Sequence, residues 1–263
     1  MAASAQIPET AGDFEVEYID PAGERSRGPL SLLWPVRFEA VRPVRQFPVR
    51  RGGGNWFGWY WSATCHGHVG YESWLERDRL ILLDFDPLVS AMASQPFQLS
   101  WAGPEGKSVR HTPDFFVRRV DGMGLVVDVR PDDQVEPRDA MKFTATAAAC
   151  GLVGWDFARL GVPDAVLMAN VRWLAGYRHP RVHRPDMAAR LVDVFAGGSS
   201  LLAGARRVGD QIAVLPVLFH LLWRRALAVD LKAALLSADT PVRLGEVREG
   251  GEGAHAAPAS AGG

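Results

Sequence analysis

A chain of 263 residues with 48% hydrophobic and 22% charged residues can bury a core, which excludes wholesale disorder. The formal net charge of −1 excludes a protein coated in positive potential, although phosphate binding needs only a local patch. No apolar run approaches the roughly 20 residues of a membrane span, and the start MAASAQIPET has no signal-peptide pattern. Two cysteines, Cys65 and Cys150, form no disulfide framework, so the expectation is a cytoplasmic protein with no membrane partner.

Residues 1–12 and 246–263 lack apolar periodicity and read as disordered. Phe14–Ile19 alternates as a strand and runs into a Pro-Ala-Gly turn; Val36–Phe38 and Val44–Val49 are further strand candidates. An Arg-Gly turn at Arg50–Gly54 leads into Asn55–Trp61, an aromatic-dense strand of a hairpin. Tyr71–Phe85 carries an apolar stripe at the 3.6-residue period and predicts a helix, with Glu72 and Glu76 on one face. Gln95–Trp101, Thr112–Val117 and Leu125–Val129 read as strands, the last two joined through the Asp121-Gly122 turn. A helix over Arg138–Cys150, a strand over Trp155–Leu160 and a helix over Asp164–Tyr177 complete an α/β domain spanning about 13–180. Arg178–Pro185 reads as a linker. Beyond it, 186–245 is a helical module, interrupted at Pro216 and closed by a short strand near Thr240–Leu244, which together suit a winged-helix-like fold.

No nucleophile elbow, P-loop or dinucleotide fingerprint is present. Cys65-His66-Gly67-His68 invites zinc but lacks a second ligand pair at zinc spacing, and a hairpin turn is the plain alternative. The chemistry lies in carboxylates. Asp128 sits within Val126-Val127-Asp128-Val129-Arg130, where a buried charge is costly unless it is paired or binds a cation. The turn between the two strands brings Asp114 to the same end, and strand alternation puts Arg130 on the face of Asp128. Glu76 could complete the cluster. Such carboxylates suit Mg²⁺, or Mn²⁺, as a hard oxygen-ligand cation. A strand ion pair between Asp128 and Arg130, with Asp114 as a turn cap, is the structural alternative.

Glu76, Pro113-Asp114 and Asp128-Val129-Arg130 together resemble the PD-(D/E)xK restriction-endonuclease-like nucleases. More narrowly, Tyr71-Glu72-Ser73-Trp74-Leu75-Glu76-Arg77-Asp78, Leu82-Leu83-Asp84-Phe85-Asp86 and Ser94-Gln95-Pro96-Phe97 resemble the TnsA family, endonuclease subunits of heteromeric Tn7-like transposases. His111-Thr112-Pro113-Asp114-Phe115 and Val127-Asp128-Val129-Arg130-Pro131 extend the likeness, which covers roughly Phe47 to Arg181. The resemblance implies a restriction-endonuclease-like mixed sheet flanked by helices. It also implies metal-dependent hydrolysis at a transposon end, and work with a DDE transposase and an ATPase regulator on double-stranded DNA. It places the catalytic glutamate at Glu76, rather than at the competing Glu72. The metal-binding aspartate falls at Asp114, the acidic-or-Gln position at Asp128 and the motif lysine at Arg130.

That last position departs from the family. Arginine stays charged and cannot serve as a base, whereas lysine can. Arg130 then acts electrostatically, or Lys142 on the next helix takes the lysine's part, or the chain is a DNA-binding and assembly factor with weakened or lost chemistry. Lysine occurs only at Lys107, Lys142 and Lys232, so arginine here often stands where another protein would use lysine. For DNA contact the arginine clusters nominate Arg45, Arg50 and Arg51 before the hairpin, and Arg178, Arg181 and Arg184 near the end of the α/β region.

Overall fold

Alternating Phe14, Val16 and Tyr18 start the fold as β1 (Glu15–Ile19), and a turn at Gly23, whose φ of 102° suits glycine, returns the chain as β2 (Arg25–Pro29). β2 has no apolar alternation and was not expected. It is held by its backbone ladder with β1, across which Arg25 pairs with Glu17 and Arg27 with Glu15. The computed structural model describes residues 8–45, 57–103 and 106–245. The chain divides into two units, one of Met1–Arg181 with Leu231–Leu236, the other of Val182–Asp230 with Ser237–Gly263.

In the first unit, β1 and β2 join β6 (Gln98–Ala102) and β7 (Ser108–His111) in a sheet of order β2-β1-β6-β7. A second sheet, β10-β9-β8-β5, contains β5 (Val89–Ser94), β8 (Phe115–Arg119), β9 (Gly124–Val129) and β10 (Asp156–Leu160). Its pairs are antiparallel except β9 with β10, which run parallel and are connected through α3 (Pro137–Leu152). The remaining elements of this unit are α1 (Leu30–Leu33), the hairpin β3 (Gly58–Ser62) with β4 (Gly67–Tyr71), α2 (Trp74–Phe85) and α4 (Ala165–Ala175). This is the mixed α/β architecture that the resemblance implied.

Several boundaries differ from the sequence reading. Val36–Phe38 is not a strand: a 3-10 turn at Phe38–Ala40 drives the Phe38 ring into the core. There it lies 4.9–5.8 Å, centroid to centroid, from Tyr18, Phe97, Phe116 and Trp155. The strand read over Gln95–Trp101 begins at Gln98, because Gln95 takes a positive φ of 46° that ends β5. Thr112–Asp114 is a connector ahead of β8 rather than its first turn of strand. β5 and β7 carry no clean period and went unread. Of the Val44–Val49 candidate, Val44 and Arg45 form a bend and the remainder lies outside the described residues, as does the Arg50–Gly54 turn. The tail 246–263 and residues 1–7 also lie outside them.

One buried carboxylate ties the hairpin to α2. Asp84 accepts from Tyr60 Oη (2.8 Å), Ser62 Oγ (2.6 Å) and the backbone N–H groups of Ala63 (3.0 Å) and Thr64 (2.8 Å). Four donors satisfy a charge that burial would otherwise penalise. Burial, together with the carboxylate it faces, pushes the Tyr60 phenol far up, so the hydroxyl stays a donor.

The second unit comprises α5 (Pro185–Phe195), β11 (Ser199–Ser200), α6 (Leu201–Val208), α7 (Gln211–Trp223), β12 (Leu227–Ala228) and β13 (Pro241–Leu244). Its antiparallel sheet has the order β11-β13-β12. The unit thus combines three helices with a small antiparallel ribbon. Pro216 does not interrupt α7. The proline removes only the bond to the carbonyl of Ile212, which is solvent-exposed, while buried Val214, Val217, Leu218, Leu221 and Leu222 carry the helix across. No helix among the described residues is long and apolar enough to cross a membrane.

Candidate active site

The β8–β9 hairpin determines where the acids stand. Phe115 pairs with Val127, so Asp114 and Asp128 flank the same end of the ladder, and the Val129 N–H donates to Asp114 Oδ2 at 2.7 Å. Buried Asp128 faces away from the Val126 and Val127 backbone neighbours toward His111, whose Nε2 lies 3.0 and 2.8 Å from its two carboxylate oxygens. A cavity of about 530 Å³ opens there. Glu76, Asp114, Asp128 and Arg130 all line it, as do Arg45, Glu72, His111, Asp139 and Lys142.

Glu76 reaches the cavity from the first turn of α2. Ser73 is the N-cap: its Oγ accepts from the Glu76 N–H at 3.1 Å and donates to Glu76 Oε1 at 2.9 Å. Glu76 Oε2 in turn accepts from the Glu72 N–H at 2.6 Å. This is a variant of the capping box, in which the third helical residue reaches back past the N-cap to the Glu72 N–H. The same carboxylate therefore starts the helix and faces the site. Glu72 is held by Arg45 at 2.7 Å through one oxygen, while its other oxygen, Oε1, is buried with no hydrogen-bond partner among the described residues.

The electrostatics are those of a site with surplus negative charge. Burial, then the carboxylates of Glu76 and Asp128, push the Asp114 carboxyl well above the usual aspartate range, against the hydrogen bond from Val129. Burial likewise raises Glu76, against the hydrogen bonds it accepts from Glu72 and Ser73. Among the described residues no three His, Cys, Asp or Glu side chains already surround one metal-sized point. Glu76 is drawn toward its helix cap and Asp128 toward His111. Even so, a carboxyl held up by its neighbours and a buried, unpartnered oxygen at Glu72 make a donor set that a hard divalent cation would relieve. Glu76, Asp114 and Asp128 are the side chains that could hold it.

The cationic side is split. Arg130 follows β9 directly, is 44% exposed, and approaches Asp139 of α3 at 3.6 Å. Lys142 lies one turn further along α3, half-buried on the cavity wall, with no ion-pair partner among the described residues. Arg45 lines the cavity through its bond to Glu72. Arg178 does not line it: its guanidinium donates to the carbonyls of Trp61 (2.7 Å) and Ala175 and lies 4.3 Å over the Tyr60 ring. Exposed Arg181 belongs to a 3-10 turn at Pro180–Val182, and exposed Arg184 precedes α5 in the second unit. Arg50 and Arg51 lie outside the described residues. Cys65 and His66 form the turn of the β3–β4 hairpin, where the Cys65 thiol contacts the Met92 carbonyl and burial raises its pKa.

Residues 86–160 match the family model described as TnsA-like endonuclease N terminal. That stretch is similar to the N-terminal domain of TnsA-like endonucleases. The matched stretch runs from the C-cap of α2 to the end of β10, so it contains Asp114, Asp128, Arg130 and Lys142, with Glu76 ahead of it. The PD-(D/E)xK superfamily is consistent with this domain, and a Tn7-type transposase endonuclease subunit is the coarse function it supports. No curated protein matches the chain.

Sequence reasoning missed His111 as a partner of Asp128. His111 ends β7 in the first sheet and Asp128 lies on β9 in the second, so no local period or spacing joins them. Asp139 was missed for a related reason: its position three residues before Lys142 marks a shared helix face, but not what that face covers.

Proposed function

We propose that the chain is the metal-dependent DNA endonuclease subunit of a heteromeric transposase, hydrolysing a phosphodiester at a transposon end. The observation that carries this reading is Asp114 beside Asp128 at the end of the β8–β9 hairpin, in one cavity with Glu76, Arg130 and Lys142. Glu76, Asp114 and Asp128 would hold Mg²⁺ or Mn²⁺, which supplies Lewis acidity toward a phosphoryl oxygen and offsets charge on the leaving oxygen. Arg130 stays charged and forks toward a scissile phosphate as an electrostatic clamp. Lys142 lines the cavity, where its ammonium would orient the attacking water and steady the charge that develops on it. Arg45, when released from Glu72, adds a phosphate contact at the same mouth. A DDE transposase and an ATPase regulator are the partners, and the winged-helix-like module of 186–245 contacts DNA or one of them.

One observation favours a second reading. Arginine stands at the motif lysine and is drawn toward Asp139, while Glu76 is engaged in its helix cap. A protein so arranged could bind and assemble on DNA without cutting it.

The test is nicking of supercoiled DNA carrying the transposon ends, with the partner transposase and Mg²⁺ or Mn²⁺ supplied. Wild type is expected to cut and Asp114→Ala to be inactive. Lys142→Ala should lower the rate by about 10²–10³-fold with DNA affinity retained. If wild type is inert in the complete system while Arg130→Lys cuts, the natural protein is the non-cutting assembly factor.

A further inference from the structure

The Glu72 carboxylate is not what starts α2. Ser73 caps the helix and Glu76 reaches back to the Glu72 N–H, so the entrance is complete without the Glu72 side chain. That side chain is nevertheless only 16% exposed, and it gains one bond for its burial. Its Oε2 accepts from Arg45 at 2.7 Å, while Oε1 is buried with no hydrogen-bond partner among the described residues. A carboxylate withdrawn from water for a single ion pair is poorly compensated. The Arg45 side chain is 50% exposed, so its fork stays open to solvent at the cavity that both residues line. Arg130 approaches Asp139 at 3.6 Å in a similar relation. Two of the three Arg and Lys side chains lining the cavity thus face carboxylates outside the set Glu76, Asp114 and Asp128.

We propose that Arg45 forms a phosphate subsite and that Glu72 is its built-in occupant, a carboxylate standing where a backbone phosphate of bound DNA would pair. The proposal rests on the reading of the cavity as a DNA-cutting site, and it adds an internal competitor for the substrate. Carboxylate and phosphate both present anionic oxygens to an arginine fork, and a phosphate can take two of its N–H donors at once. Glu72 takes the fork through one oxygen only. The pair is therefore weak enough to yield to a polyanion, yet it covers Arg45 when no DNA is bound. Opening it subtracts the free energy of the pair from the affinity of any duplex. Neutralising Glu72 should tighten DNA binding, and only where Arg45 is present to be released.

The experiment measures binding of the full chain to a fluorescent duplex carrying a transposon end, with EDTA present and without partners, by anisotropy over a series of salt concentrations. Wild type, Glu72→Gln, Arg45→Gln and the double variant are compared, with Glu72→Ala as a second neutral variant, and thermal melts confirm that each is folded. Arg45→Gln should weaken binding and reduce the slope of log K against log salt by about one, the loss of a single phosphate contact. Glu72→Gln should bind about three- to tenfold tighter than wild type, whereas the same change made on Arg45→Gln should alter affinity by less than about twofold. An equal gain in both backgrounds would mean that Glu72 repels DNA only as one more negative charge, and it overturns the proposal. So does a Glu72→Gln that binds no tighter than wild type, or an Arg45→Gln slope equal to that of wild type. If wild type and Glu72→Gln both fail to bind at low salt, the DNA-cutting reading itself is overturned.

Discussion

Asp84→Asn changes one atom in a buried network and should be among the most costly isosteric substitutions in the chain. Each Asp84 oxygen accepts two hydrogen bonds: Oδ1 from Ser62 Oγ and the Thr64 N–H, Oδ2 from Tyr60 Oη and the Ala63 N–H. Asparagine can replace only one of these oxygens with another oxygen. Its amide nitrogen then faces a hydroxyl, which can turn and accept, and a backbone N–H, which cannot. In the orientation that puts the amide against Ser62, the hydroxyl is further constrained because it already accepts from the Cys65 N–H at 3.0 Å. Either orientation strands a buried backbone donor, costing about 1–3 kcal/mol, and loses the charge-assisted character of the remaining bonds. The sum is about 2–4 kcal/mol, or a fall in Tm of roughly 4–16 °C for a chain of this size. Urea denaturation followed by tryptophan fluorescence, with thermal melts alongside, reads both quantities. Tyr60→Phe, which removes a single donor and leaves three, should cost less. If Asp84→Asn lies within about 1 kcal/mol of wild type, the carboxylate does not organise the hairpin and this reasoning fails.

Ser73→Ala removes both Ser73 bonds to Glu76 and should lower stability by about 1 kcal/mol, read as a Tm shift of about 2–4 °C; an unmoved melt would mean that the capping box does not hold the start of α2. Glu39 supplies the pH dependence. Burial raises its carboxyl, but hydrogen bonds from its own backbone, Arg118 and Arg37 outweigh that and bring it below the usual glutamate range. A lowered carboxyl contributes stability above its unfolded pKa and loses it as pH falls through the folded value. Glu39→Gln should therefore be less stable than wild type at pH 7, and the gap should close as pH falls from about 5 to about 3. A gap that stays constant across that window would show that the contribution is packing rather than charge.

The acids of the site were legible because strands have a period of two and turns have signatures. Asp121-Gly122 marks a hairpin, the hairpin makes Asp114 and Asp128 neighbours, and a charge among valines asks for a partner. The helix read from Tyr71 begins only at Trp74, because Tyr71 ends β4 and Ser73 caps α2. Less regular segments left no such mark. β2 depends on its ladder with β1, β5 and β7 on sheets that assemble around them, and the 3-10 turn at Phe38 on a core that receives its ring.

By itself, then, the sequence determined the α/β class, the hairpin that carries the acids, the helix that brings Glu76, and the arginine that departs from the motif. Those features are written in separations of a few residues, where backbone geometry alone sets which side chains meet. Only the tertiary structure decided that His111, from the other sheet, covers Asp128, that Asp139 approaches Arg130 while Lys142 lines the same cavity, and that Arg178 is engaged by carbonyls and rings away from the cavity. These contacts join residues up to 117 positions apart. Their register follows from how whole sheets and helices pack, which no local period records.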